Sequence, residues 1–362
     1  MFKPLRALLF AGLVALAASG STHGGQYPAL YRDAAGSAPA DGRLSVMTYN
    51  VKGLPWPIAF GREEALDDIA DRLAQLRRSG QQPHIILLQE AFTAQAARIA
   101  LRAGYAHVAH GPDAASLSGI AMDVADRPFL AKARWERGEA VGKQLGSGLQ
   151  ILSDYPIKRI DRITFPDFAC AGFDCLANKG VLIAHLAVPG FDGPISIVNT
   201  HLNARGAAGV SIERTQRAFV RQVDLMTRFV ASHVPAGQAM VLGGDMNIGK
   251  DGRRADAFFT SFAQAGMRFI RPDLGGARRA LVQSACIDAA TCRDLGLASG
   301  KAKDWLFARN GQDRPLPVLS AHVPFGYEPD GASLSDHFGY VIDYGLGPPI
   351  RVATGGPAGA RL

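Results

Sequence analysis

The stretch AMVLGGDMNI, residues 239–248, decides how the rest of this chain is read. Its first residues are an apolar run of the kind that forms a buried strand. The run breaks on Gly243 and Gly244, which let a backbone turn sharply or approach a neighbour closely. Asp245 and Asn247 follow at once. Their i, i+2 spacing sets both side chains on one face if the strand continues. A plain Gly-Gly-Asp turn is the other reading of the same letters.

Working outward, the same device recurs. ISIVNTHL (195–202) is an apolar strand that delivers His201, and THLN (200–203) sets His201 and Asn203 on one face. LSVMTYNV (44–51) brings Asn50 to its end, and HIILLQE (84–90) ends on Glu90. DWLFA (304–308) opens with Asp304. LSDHF (334–338) puts Asp336 beside His337 at the entry to the strand HFGYVIDY (337–344). LQILSDYPI (149–157) and GVLIAHLAV (180–188) read as further strands. Glu63–Ser79 reads as a helix, with Leu66, Ile69, Ala70, Leu73 and Leu76 on one face and Gly80 past its end. Gln95–Arg102 reads as a short helix stopped by Gly104. Ser211–His233 reads as a long amphipathic one, whose stripe of Phe219, Val220, Val223, Met226, Phe229 and Val230 is expected to be core. Many strands and few helices imply an α/β body of two packed sheets with helices outside. Functional groups on strand ends are held by a rigid scaffold.

The flanks carry a different composition. Lys3 and Arg6 precede an uncharged apolar stretch, Ala7–Ala18, followed by Ser19 and Gly20. Residues 1–20 therefore read as a signal peptide, which predicts a secreted or periplasmic protein. Residues 21–42 read as a linker, 43–344 as one domain and 345–362 as a disordered tail. The four cysteines lie in two close pairs, Cys170/Cys175 and Cys286/Cys292. Export favours disulfides, and local pairing is expected. Neither pair has the C-x-x-C spacing of a zinc site. The net charge of +7 suits an anionic partner, whether a phosphate, a nucleic acid or a membrane headgroup. It suits a soluble basic protein equally, and no run of Lys/Arg marks a nucleic-acid tail.

These residue types fit the hydrolysis of a phosphodiester. That reaction needs a hard cation on oxygen ligands, a base to take a proton from water, and donors facing the phosphoryl oxygens. Taken singly, the residues stay ambiguous. Glu90 is as compatible with a surface strand end as with a metal ligand, and Asn50 alone reads as a turn former. A lone His201 is more often a structural hydrogen-bonder, and Asp304 is a carboxylate that could orient an imidazole.

The order of the motifs says more than any one of them. The series N…QE…THLN…GDMN…D-W…SDH resembles the endonuclease/exonuclease/phosphatase superfamily, the DNase I-like metal-dependent phosphoesterases, over residues 44–343. Within it, CLANKGVLIAHL (175–186), VNTHLNA (198–204) and VLGGDMNIGK (241–250) look like secreted bacterial sphingomyelinases. GSGLQILSDYPI (146–157) fits the superfamily's G-x-x-I-L-S-x-x-P segment. The resemblance implies a four-layer α/β sandwich. It implies Glu90 as principal metal ligand, assisted by Asn50, with Asp336 supporting the metal shell. The metal would be Mg²⁺ or another divalent cation such as Mn²⁺ or Co²⁺. His337 would be the base that activates water and Asp304 would orient it. His201 would donate to phosphoryl oxygens, and Asp245 and Asn247 would position phosphate and nucleophile. The products would be ceramide and phosphocholine.

Asp304-Trp305 departs from the superfamily's more frequent Asp-Tyr. Aromatic membrane contacts are sparse: Phe325 and Tyr327 in 320–333, and Trp56 and Phe60 in the loop GLPWPIAFG (53–61). A phospholipid or membrane surface is the expected partner and a monomer the expected state. An exported nuclease or a soluble phosphomonoesterase is the alternative, and the paired His201 and His337 argue against an inactive binding protein.

Overall fold

The computed structural model describes residues 41–346, except 190, 192 and 272–274. The expected signal peptide, nearly all of the linker and most of the tail lie outside the described residues.

The chain alternates strands with excursions that cover them. β1 (Arg43–Asn50) leads to α1 (Arg62–Arg78), β2 (Ile85–Gln89), α2 (Ala94–Arg102) and β3 (His107–His110). A long excursion containing the single-turn α3 (Arg127–Leu130) returns to β4 (Gln150–Ser153) and β5 (Ile157–Thr164). β6 (Gly180–Leu186), β7 (Ile195–His201), α4 (Ile212–His233), β8 (Met240–Asp245) and α5 (Gly252–Gln264) follow. The body closes through α6 (Gly276–Val282), α7 (Ala289–Lys301), β9 (Asp304–Arg309), β10 (Val318–Phe325) and β11 (Gly339–Gly345).

Two mixed sheets result, in strand orders β10-β11-β1-β2-β4-β3 and β5-β6-β7-β8-β9. They pack face to face through Val46, Ile85, Leu87, Ile151, Leu182, Ile197, Val241 and Leu306. On the outer face of the first sheet, Met47, Ile86 and Leu88 meet Leu66, Leu73 and Ile99 of α1 and α2. On the outer face of the second, Ile183, Val198 and Leu242 meet Phe219, Met226 and Phe258 of α4 and α5. Successive side chains of a strand point to opposite faces, so strands covered on both sides must be continuously apolar. That is why these runs show no alternation. The architecture is the expected four-layer α/β sandwich.

Register brings the polar strand ends together. β1 and β2 run parallel, pairing Asn50 with Gln89. β7 and β8 run parallel, pairing His201 with Asp245. β9 is antiparallel to β8, so its first residue, Asp304, faces Asp245. Gly243 and Gly244 make this possible. A Cβ on Gly243 would meet Leu306 Cδ2 at 2.6 Å in the sandwich core, and one on Gly244, whose φ is 126°, would meet the Thr200 carbonyl oxygen at 2.1 Å.

Several details differ from the sequence reading. The buried stripe of α4 runs through Phe219, Val223, Met226 and Val230, and Val220, one step of about 100° around the helix, is 43% exposed. LQILSDYPI holds β4 and only the first residue of β5, because the chain turns at Asp154–Pro156, and the remainder of β5 goes unread. β3, α5, α6, α7 and β10 go unread by hydrophobic pattern. Among the buried residues of α7 two are polar, Thr291 and Asp294, so its pattern is weak. Both expected local disulfides are present, Cys170–Cys175 and Cys286–Cys292.

Candidate active site

Asp245 is the hub. It sits at the end of β8 with its carboxylate nearly inaccessible to solvent. Its Oδ1 accepts from the backbone N–H of Asn247 at 3.0 Å. Its Oδ2 accepts from Asn50 Nδ2 at 3.1 Å and lies 3.6 Å from His201 Nε2 and 3.7 Å from His337 Nε2. Burial opposes ionisation of this carboxyl, but His201, His337, Lys303 and Lys179 nearby outweigh it and hold the group down to about 2.

On one side lies an oxygen-rich group. The Asn50 amide also donates to Glu90 Oε1 at 2.9 Å, so a single amide separates two carboxylates. Glu90 takes a left-handed backbone (φ 56°) directly after β2, which turns its side chain into the site. Burial pushes the Glu90 carboxyl up, against the pull of Asn50 and Lys179. Glu90, His201 and Asp245 each offer one ligand atom, all within 4.8 Å of one another. Two carboxylates and an imidazole nitrogen can hold a divalent cation, while Asn50, whose Oδ1 accepts from the Lys52 N–H at 3.0 Å, steadies both carboxylates with its amide NH₂.

On the other side, both oxygens of Asp304 face His337 Nδ1, at 3.0 and 2.8 Å. His337 is itself buried, and burial alone would favour its neutral form. The adjacent Asp304 carboxylate overrides this and raises the imidazole to about 9. The loop is pinned, since Ser335 Oγ donates to the Asn50 carbonyl at 2.7 Å and accepts from the His337 N–H at 3.3 Å. Tyr340 donates its hydroxyl to the Asp304 carbonyl at 3.0 Å.

His201 has the opposite environment. Lys179 Nζ lies 3.0 Å from His201 Nε2 and is held by Asp174 Oδ2 at 2.8 Å and the Leu202 carbonyl at 3.2 Å. Burial, reinforced by the Lys179 charge, lowers the His201 imidazole to about 3. The ring is therefore neutral, and Nε2 accepts from the ammonium. His201 can donate to a phosphoryl oxygen only by giving up that bond, so Lys179 is the donor already charged at this place. Neither Lys179 nor Asp174 was singled out in the sequence. The signal available was the NKG element, with Asp174 five residues before its lysine.

Seven of the eight expected site residues converge. Asn247, with a left-handed backbone (φ 47°), lies beside Asp245 and donates Nδ2 to the Leu202 carbonyl at 3.0 Å. Asp336 does not join them. Its side chain is 58% exposed and pairs loosely with Lys52 at 3.8 Å, outside both groups of side chains placed to hold a cation. Of the adjacent pair, the backbone turns His337 inward and Asp336 outward. Asn203 is structural, its Oδ1 accepting from the Ala171 N–H at 2.8 Å. Arg254, fully buried, donates to the carbonyls of Asn203 and Asn247 at 2.8 and 2.7 Å, which fixes both loops from behind. A cavity of about 590 Å³ opens beside Asn247 and is edged by Arg205, Lys250 and Lys303.

The chain as a whole is similar to known proteins. The model of the Endonuclease/Exonuclease/phosphatase family matches residues 47–337. The chain belongs to that family. A sphingomyelinase of Mycobacterium tuberculosis is 23% identical over 326 residues, covering 85% of this chain and 54% of that protein, so the chain spans about half the length of the curated relatives it matches. A variant of Staphylococcus aureus beta toxin with bound magnesium ions is similar in structure, with a TM-score of 0.52 at 16% identity, covering 83% of this chain and 99% of that one. Sphingomyelinase C from Streptomyces griseocarneus gives 0.51 at 19% identity over 83% and 99%. These likenesses establish the DNase I-like fold.

Proposed function

We propose that this protein is a divalent-metal-dependent sphingomyelin phosphodiesterase, releasing phosphocholine and ceramide. The observation that carries the reading is the shared Asp245 carboxylate, with a cation-holding group on one side and an Asp–His base pair on the other. Glu90 and Asp245, oriented by the Asn50 amide between them, would hold Mg²⁺, or Mn²⁺ or Co²⁺ in its place, which when bound would polarise the phosphoryl oxygens and offset their charge. The sphingomyelinase relatives support the choice of substrate.

The chain's own residues supply the rest. Once the His337 ring has given up its own proton, Nε2 takes that of the attacking water while Asp304 holds Nδ1–H and stabilises the imidazolium that forms. Because the ring is raised to about 9, the competent form grows as pH rises toward that value. The new P–O bond forms from that water as the bond to the ceramide oxygen breaks; the ceramide oxygen takes a proton from solvent, and His337 returns to solvent the proton it took from the water. Lys179, Asn247 and His201 face the phosphoryl oxygens as donors, His201 once its bond to Lys179 is released. Asp336 has no part in this scheme. Secretion or export to the periplasm belongs to the same proposal, supported by the apolar stretch Ala7–Ala18 and by the two disulfides.

The test is phosphocholine release from sphingomyelin vesicles by purified protein with and without Mg²⁺. No release at any divalent-metal concentration refutes the substrate. A second reading, a nuclease, is favoured by the cavity edged by Arg205, Lys250 and Lys303, since cationic walls suit a polyanionic strand. Nicking of plasmid DNA, suppressed steeply by salt, would select it.

A further inference from the structure

Exposed large apolar side chains are concentrated on the excursion between β3 and β4. Leu117 is 93% exposed, Val124 72% and Trp135 65%, with Met122 and Val141 also exposed. Isolated exposed apolar residues are ordinary, but several on one segment mark an interaction surface.

The excursion is firmly anchored. Asn178 Nδ2 donates to the carbonyls of Asp113 and Ser116 at 2.7 and 2.9 Å, and the Asn178 N–H donates to the Leu145 carbonyl at 2.9 Å. Glu139 pairs with Arg214 and Asp126 with Arg221, both arginines on α4, at 2.6 and 2.8 Å. Phe129 packs under the Arg214 guanidinium. The acidic groups that secure the segment thus turn inward. Across Leu117–Trp135 the exposed charges are Asp123, Arg127, Lys132 and Arg134, cations outnumbering the one anion, with Arg134 paired to Glu136 at 2.6 Å. An outward face of apolar side chains among cations complements a surface that is apolar below and phosphate-bearing above.

Its position relates it to the active site. Asn178, which grips the excursion, is followed by Lys179, whose ammonium reaches His201. At the same end of the sandwich, the loop after Asn50 carries Trp56 and Phe60, 70% and 76% exposed. Both apolar groups leave from the same end of the first sheet, since β1 and β3 run in the same direction as β2: the Trp56 loop follows β1 in the middle of the sheet and the excursion follows β3 at its edge.

We propose that the segment Leu117–Trp135 is a membrane-docking platform. It inserts Leu117, Val124 and Trp135 into a phospholipid surface and, with Trp56 and Phe60 at the same end of the sheet, seats the Asp245 centre at the headgroup layer. The proposal rests on the reading of the protein as a lipid hydrolase. Of the other candidates from the sequence, Phe325 has no part in it, being buried and stacked on Tyr49 at 4.8 Å, and the half-exposed Tyr327 packs edge-on against Phe338.

The experiment compares the full chain with the double variant Leu117→Ser/Trp135→Ala. Three quantities are measured: partition onto sphingomyelin/phosphatidylcholine vesicles in EDTA, phosphocholine release from the same vesicles with Mg²⁺, and turnover of soluble bis(p-nitrophenyl) phosphate. Partition and vesicle turnover are expected to fall at least about tenfold, a loss of roughly 1.4 kcal/mol in binding, with turnover of the soluble diester unchanged. Adding anionic lipid is expected to tighten binding of the natural protein, and replacing Lys132 and Arg134 by Gln to remove that gain. Vesicle partition equal to that of the natural protein overturns the proposal. So does a dimer of the natural protein that the double variant dissolves, because the platform would then be covered by a second copy. Vesicle binding that depends on Trp135 but yields no phosphocholine would leave the platform standing and refute the substrate reading instead.

Discussion

Two imidazoles approach one carboxylate oxygen from opposite sides at nearly the same distance, 3.6 Å for His201 and 3.7 Å for His337. Both are buried, His201 ending one apolar strand and His337 standing just before another. One is lowered to about 3 and the other raised to about 9. The difference lies in the next neighbour, since His201 has an ammonium at 3.0 Å and His337 a carboxylate at 2.8 Å. Residue type and burial therefore do not determine the role of a histidine; the charge placed behind it does. A proton acceptor needs the carboxylate. A neutral ring beside a cation suits the place where phosphate charge gathers.

The contrast can be broken from the base side first. Replacing His337 by Ala is expected to cost about 10³-fold in turnover, within the range for loss of a general base, with thermal unfolding nearly unchanged. Turnover within a few-fold of the natural protein would remove His337 from the mechanism. Chelation by EDTA should be as damaging and, unlike the substitution, reversible by Mg²⁺; activity that persists in EDTA would refute a metal role for Glu90 and Asp245.

Asp304→Asn removes the charge but keeps the shape. About a hundredfold loss of turnover is expected. In metal-free protein the His337 resonance should titrate well below 9, because the group that raises it is gone. An unmoved titration would show that Asp304 is not its cause. Lys179→Met addresses the opposite imidazole. Turnover should fall about tenfold, as for loss of one charged donor. His201 should titrate above its value of about 3, though burial still holds it below the ordinary 6.5. If turnover is unchanged, Lys179 only supports the fold.

A third imidazole, remote from the site, serves as the reference and gives the smallest effect. His84 is buried, its Nδ1 accepting from the Ser45 N–H at 3.3 Å and lying 2.9 Å from the Tyr155 hydroxyl. Burial lowers it. The unfolded chain then binds a proton below pH 6.5 that the folded chain refuses, so stability falls as pH drops from 6.5 until the folded value is reached. His84→Gln should flatten that slope by at most about 1.4 kcal/mol per pH unit, read by urea unfolding at several pH values. An unaltered slope would place the pH dependence on other histidines.

How much of this was legible in the sequence differs by residue. Asn50, Glu90, His201, Asp245 and Asp304 each end or open an apolar run, so short-range pattern located them. Asp336 and His337 stand side by side with the same local credentials. The turn after Ser335, tied to the Asn50 carbonyl 285 residues away in sequence, sends one out and the other in. Lys179 was visible only as part of a family element, because its partners Asp174 and His201 come from a loop and from the neighbouring strand. The α6–α7 region escaped pattern reading because its helices bury small and polar residues.

Strand periodicity, glycine placement and the order of the polar groups are properties of neighbouring residues, and they suffice for a double-layered sheet with its chemistry at one end. Which carboxylate orients which ring, which histidine carries charge, and whether Phe325 or Trp135 meets the outside depend on distances between segments far apart in the chain. Those distances are set by parallel and antiparallel register and by how the two sheets are covered. Electrostatic coupling falls off within a few ångströms in a partly buried site, so only the packed fold could assign them.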